Sequence, residues 1–384
     1  MGRRPTVGPL RHDGWVSRTP FVPATPQVLR WARQDAGLDL AEAGRLANVQ
    51  GERVQEWEEG VSQPTLAQLR GLADGLRRPV AFFLAPGPPP EHTQDPPDFR
   101  AGHRGTSRAL RREIRAAFER RDAFREVAGA DGDRWRRWRE DPPETAGQVR
   151  ARLGVGVERI AGSADANAAL RVWIDAAEAA GVLVFQMSRV PVDECRGFAV
   201  DDADLPVIML NGADAPQARC FTLVHELAHL LDRTGALCVL DEDAEVEQRC
   251  NRFAAAVLMP PTAIRDAAAG RDGTGAVDVV VRTFKVSPVA AALRLRELGL
   301  VDQATVAATI RLAAAVARRA AERETKGGPL HHVIKRRNLG DAYLGAVLEA
   351  LHQDAITILD ASYFLDSTVG TVEQMERALA GRPV

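Results

Sequence analysis

Lysine is nearly missing from this chain: almost all of its 50 basic residues are arginine. Set beside the abundance of alanine, that imbalance reads as coding bias and carries no functional message. Cysteine is scarce as well. Cys195, Cys220, Cys238 and Cys250 form no C-x-x-C pair, and four in 384 residues make no disulfide framework. A reducing cytoplasm is the simplest setting for such a chain. No apolar run has the length needed to span a bilayer, and Met1 to Pro20 contains basic residues but no apolar core of a signal peptide. Net charge is −2, so the bulk numbers point to neither nucleic acid, membrane nor acidic ligand. What remains is 45% hydrophobic residues over a length that exceeds most single domains, which predicts two or three folded units.

Residues 1–25 have mixed polarity and no period, and read as a poorly ordered or strapping segment. Residues 26–86 read as five short helices. Gln27 to Ala36 is closed by Gly37, Asp39 caps a second helix, and Asn48 to Gln50 form a tight turn. Glu52 to Glu59 is a third helix ended by Gly60; Pro64-Thr65 opens a fourth, and Pro79 a fifth with Phe82 and Phe83 turned inward. Residues 87–98 are a proline-rich linker, stiff by composition. An arginine-rich helical connector fills 99–162. From 163 to 300 the texture changes: a helix to Ala180, β-like runs at 182–185, 197–200 and 207–210, then helices at about 215–232 and 243–257. Strands followed by helices predict an α+β unit with a small antiparallel sheet, in a chain that is otherwise mostly helical. Residues 301–384 return to helices, broken at Lys326 to Pro329, and offer no role beyond substrate sensing or dimerisation.

The chemistry concentrates in His225-Glu226-Leu-Ala-His229. On a helix, positions i and i+4 lie one above the other, so both imidazoles can reach one ion. Glu226 lies about 100° round the helix from His225, where a general base can approach a water held at that ion. A second helix offers the third ligand: Glu247, with Asn251 one turn on, able to fix a histidine tautomer through its amide oxygen. Glu245 points about 200° away from Glu247, so only one of the two can serve. Three protein ligands leave the fourth position open, which is the catalytic arrangement for zinc; manganese or iron could also occupy two His and one Glu. The bland alternative, a pair of hydrogen-bonded core histidines, fits the constellation less well. Cys220 and Cys250 lie close enough in sequence to invite a redox switch, although small buried hydrophobes are the simpler reading.

The H-E-x-x-H together with E-x-x-x-N-x-F-A-A-x-x-L-M-P from Glu247 to Pro260 resembles the ImmA/IrrE family of bacterial metallopeptidases, and the five-helix start resembles the XRE-type helix-turn-helix domain that often precedes it. The resemblance covers most of 26–300. It implies a zincin-like, gluzincin-type α+β peptidase domain with His225, His229 and Glu247 as ligands and Glu226 catalytic. It further implies cleavage of a helix-turn-helix repressor that silences stress, phage or mobile-element genes. Cys250 stands where the family usually has alanine. No transition-state donor follows from the motif; Tyr343 and Tyr363 are too distant to assign. The strand Val207-Ile208-Met209-Leu210-Asn211 precedes the metal helix and is expected to be the edge that pairs with extended substrate backbone.

The first domain gives a weaker signal for DNA. Gln50, Arg53 and Gln55 suit base or phosphate contact, but Glu52, Glu56, Glu58 and Glu59 repel phosphate. Over 26–86 seven basic residues face eight acidic ones, where a dedicated DNA binder shows a basic footprint. The connector from Phe99 to Glu140, with thirteen Arg against seven acidic residues, could lend that surface or could be a solvated face of local ion pairs. Trp135 and Trp138 could stack on bases but fit better as anchors onto the next domain. The leading expectation is a cytoplasmic zinc endopeptidase cutting a repressor. The alternatives are a DNA-binding regulator or antitoxin-like partner with a structural or vestigial metal site, and a first domain that only docks protein. DNA and self-association as a homodimer are the further partners the sequence allows.

Overall fold

The computed structural model describes residues 21–76, 78–88, 107–129, 133–233, 244–321 and 331–380. Most of the expected N-terminal segment, the linker from residue 89 and the break at Lys326 to Pro329 lie outside these residues. The chain divides into two compact units, Met1–Pro90 and Glu91–Val384.

The first unit holds α1 (Pro26–Asp35), α2 (Leu40–Ala47), α3 (Gly51–Glu58), α4 (Leu66–Leu76) and a 3-10 turn at Val80–Leu84. Local chemistry sets these boundaries. Asp39 and Glu42 form a reciprocal capping box on α2, and Asn48 ends it in the left-handed conformation. The α2–α3 corner is tight: a Cβ on Gly44 would lie 2.6 Å from the carbonyl oxygen of Val49. Beneath the corner, buried Glu58 takes a bidentate pair from Arg33, at 2.6 and 2.9 Å. Val28, Val54, Trp57, Leu69, Leu72 and Phe83 fill the core.

The second unit begins with α5 (Arg108–Ala128), α6 (Asp133–Glu140), α7 (Ala146–Arg152), α8 (Val157–Ala161) and α9 (Ala166–Ala179). Three strands follow: β1 (Leu183–Met187), β2 (Gly197–Val200) and β3 (Val207–Asn211). Then come α10 (Pro216–Asp232), α11 (Ala244–Leu258), α12 (Pro261–Ala268), α13 (Gly273–Phe284), α14 (Pro288–Glu297) and α15 (Gln303–Ala321). The unit closes with α16 (His331–Leu339), α17 (Asp341–His352), α18 (Ile358–Phe364) and α19 (Val369–Ala380). No described helix is long and apolar enough to cross a membrane.

The sheet order is β1-β3-β2, with β1 parallel and β2 antiparallel to β3. It is therefore mixed, not antiparallel as expected, because the chain leaves β1, crosses to the far edge to make β2, and only then returns to fill the middle. Side-chain alternation sends Val184, Ile208 and Leu210 into a core with α9 to α14, and Phe185, Val207 and Met209 into a second core with α5, α17, α18 and α19. Helix α5 and the C-terminal helices thus cover one face of the sheet, while α10 and α11, with the rest of the connector (Trp135, Trp138, Val149 and Ile160), belong to the core on the other.

The arginines of the connector are matched over long range. Arg121 and Arg125 reach Asp202 at 3.4 and 2.6 Å, Arg139 reaches Asp201 at 2.6 Å, and Arg136 reaches Asp204 at 2.8 Å. These partners sit in the β2–β3 turn, so that part of the connector's charge is spent inside the unit. Trp135 and Trp138 are buried and stack on each other with centroids 6.2 Å apart, which makes them anchors and removes them from any base-stacking surface.

Candidate metal centre

Helix α10 starts on Pro216 at its first position and ends at Arg233 in the left-handed conformation. Its buried stripe includes Leu223, Val224, Leu227 and Leu230, which fixes its rotation against the sheet. That rotation leaves His225 half-buried, and Glu226 and His229 buried, on the side facing α11. Two backbone acceptors of the α11 exit are held by buried Arg150, whose Nη1 donates to the carbonyls of Val257 at 2.7 Å and Leu258 at 3.2 Å. This fixes the register in which α11 delivers Glu247.

The donor atoms converge. His225 Nε2 and His229 Nε2 lie 3.0 Å apart. Glu247 Oε2 is 3.5 Å from the first and Oε1 3.4 Å from the second. The three ligand atoms all lie within 4.8 Å of one another. Burial lowers the pKa of both histidines, Glu247 opposing it and His225 adding to the effect on His229, so both rings favour the neutral form. Two neutral imidazole nitrogens facing each other at this distance, beside a carboxylate, suit a shared cation far better than a hydrogen-bonded pair. The donor set fits zinc or manganese.

Around these donors the expectations divide. Cys250 Sγ lies 3.6 Å from His229 Nδ1, where it can accept that ring's N–H and leave Nε2 for a metal. Asn251, expected to hold a histidine ring, is exposed and raises the His225 pKa through a side-chain hydrogen bond. Cys250 stands beside His229 as Asn251 stands beside His225. Cys220 is buried and its thiol pushed up to about 12, which speaks against a reactive thiolate. Tyr343 is buried and donates to the Phe364 carbonyl at 2.8 Å, which removes it as a transition-state donor.

The expected substrate edge is overturned. Val207 to Asn211 is the central strand, paired on both sides, with all five residues buried. An unbroken apolar run belongs to a strand covered on both faces, and that signal was present in the sequence. Asn211 is a clamp: its Nδ2 donates to the carbonyls of Val190 at 2.9 Å and Cys195 at 2.7 Å. The strand beside the centre is β2. A Cβ on Gly197 would lie 2.4 Å from Thr222 Cγ2 and 3.8 Å from Glu226 Oε1. Glycine here lets the strand backbone approach the face of α10 that carries Glu226.

A groove of about 710 Å³ opens between α10, α11 and α14, and its lining includes Phe221, Thr222 and Asn251, each one helical turn from His225, Glu226 and Glu247 in that order. In the first unit Arg53 is bound to Glu56 at 2.6 Å and Gln55 to Glu59 at 2.8 Å, while Gln50 is an exposed N-terminal cap.

A buried H-E-x-x-H helix crossed by a carboxylate-bearing helix under a small sheet has the build of a metallopeptidase domain. Residues 177–296 match the family model described as the IrrE N-terminal-like domain, Peptidase_M78. The match supports a metallopeptidase of the IrrE/ImmA type for this stretch, and it spans both strands and ligand helices. No curated protein matches the chain.

Proposed function

We propose that the chain is a zinc-dependent endopeptidase whose substrate is a protein, and, following the family resemblance, a helix-turn-helix transcriptional repressor. The observation that carries the reading is the convergence of His225, His229 and Glu247 within 4.8 Å, with Glu226 on the same helix. Zinc, when bound, supplies Lewis acidity at the scissile carbonyl and acidifies the attacking water. Glu226 takes the proton of that water and returns it to the leaving nitrogen. Extended substrate backbone lies along the free edge of β2, since β3 is paired on both sides. Cys250 holds the His229 tautomer.

In this reading residues 26–86 are an XRE-type helix-turn-helix domain, with α2 and α3 as its helix pair. The Arg53–Glu56 and Gln55–Glu59 contacts favour protein docking over DNA contact, because two of the three candidate DNA-contacting groups are already held by a carboxylate, and only Gln50 is left exposed.

Elemental analysis of wild type, His229→Ala and Glu226→Gln tests the centre. About one zinc per chain is expected in wild type and Glu226→Gln, and none in His229→Ala. Cleavage of a co-expressed repressor is expected only in wild type. Metal-free wild type, or a fully active Glu226→Gln, refutes the reading.

A further inference from the structure

We infer that the groove beside the metal centre selects the substrate by binding two adjacent bulky apolar side chains and one nearby acidic residue. This rests on the peptidase reading and names its substrate class. The groove volume, about 710 Å³, exceeds what one side chain fills and suits a short peptide segment. Its wall near the centre is Phe221, one helical turn before His225, with ring centroids 6.3 Å apart. Ala255 on α11 and Val289 and Ala290 on α14 continue the apolar lining, and Leu293 at the far end is 53% exposed.

The charge around the groove chooses the polar neighbour. Arg196 and Arg252 line it from opposite elements. Arg196 is paired with Asp214 at 2.8 Å, whereas Arg252 is exposed and makes no ion pair among the described residues. Glu297, the acidic residue of the lining, is taken by Arg294 at 2.6 Å. Among the described residues, Arg252 is thus a cation of the groove without an ion pair, set beside apolar walls and complementary to a carboxylate flanking hydrophobic residues.

The test uses the full-length, zinc-loaded chain carrying Glu226→Gln, so that peptide is bound without being cut. The probe is a fluorescein-labelled decapeptide with adjacent Leu and Phe and an Asp two residues away, read by anisotropy. Replacing Leu-Phe by Ala-Ala should weaken binding about tenfold or more. Adding Ala290→Trp, which fills the groove, should do the same. Leu293→Glu, at an exposed position that does not threaten folding, should weaken binding about fivefold. Arg252→Glu should reverse the preference for Asp over Lys in the peptide. Equal affinity for all peptides, or no response to Leu293→Glu and Arg252→Glu, overturns the inference. The peptidase reading fails separately: zinc-loaded wild type that binds the peptide and never cuts it refutes catalysis and leaves the groove intact, whereas cutting without side-chain preference refutes the groove alone.

Discussion

Gly197→Ala is the substitution that most directly probes how the strand and the metal helix fit. A single methyl group at this position would meet Thr222 Cγ2 at 2.4 Å and the Met209 carbonyl oxygen at 2.9 Å. The first contact is with a side chain on α10, the second with backbone of the central strand, so neither yields without moving β2 away from the sheet or from the helix. Overpacking of this kind costs about 1–3 kcal/mol. For a unit of this size that corresponds to a fall in Tm of roughly 2–6 °C. The effect on catalysis should be larger, since a displacement near 1 Å of a positioning element can cost about 100-fold in rate. Thr222→Ser removes Cγ2, so the double variant should recover part of both losses while the clash with Met209 persists. Calorimetry and kcat/KM on a cleavable peptide, measured on the single and double variants, decide the matter. Unchanged Tm and unchanged kcat/KM in Gly197→Ala would refute the placement of β2 beside Glu226.

Other expectations follow from groups already described. The metal-free protein should lose stability as pH falls below about 6.5, because His225 and His229 have lowered pKa values in the folded chain and the unfolded chain binds protons first; urea titrations at pH 7.5 and 5.5 on chelated protein check this, and equal midpoints would contradict it. Glu178, pushed up to about 8 by burial with Asp175 and Asp341 adding to it, should cost stability as pH rises from about 4.5 through 8. Glu178→Gln should therefore raise Tm at pH 8 and leave it unchanged at pH 4. Glu58→Leu removes the bidentate partner of Arg33 from a buried site and should destabilise the first unit by about 3 kcal/mol, seen in its own thermal transition.

Much of this arrangement is written in local sequence. Asp39 with Glu42, Asn48, Pro216 and the i,i+4 histidines act within one helical turn, and the helices they bound fall where such signals place them. Helical rotation left only one of Glu245 and Glu247 able to serve, and the E-x-x-x-N spacing favoured Glu247. The features that escaped are non-local. Strand order was hidden because β1 pairs with β3 across 24 residues of register while β2, between them in sequence, goes to the edge. The counter-charges of Arg125 and Arg139 stand 77 and 62 residues away, beyond any i,i+4 reading of the connector. Cys250 looked like a small departure from a family pattern, and only the crossing of α10 and α11 brings its sulfur to the second nitrogen of His229.

The long reach of the Arg–Asp contacts also ties the connector to the strand beside the metal centre. The turn that carries Asp201, Asp202 and Asp204 joins β2 to the central strand, and it is gripped by a helix pair made some seventy residues earlier. Loops of that length close slowly, and their entropy must be met before the contacts they bring are gained. The strand lying against Glu226 is tied to a helix pair that lies outside residues 177–296. Removing the connector would take those contacts from the strand beside Glu226 while leaving His225, His229 and Glu247 in the chain.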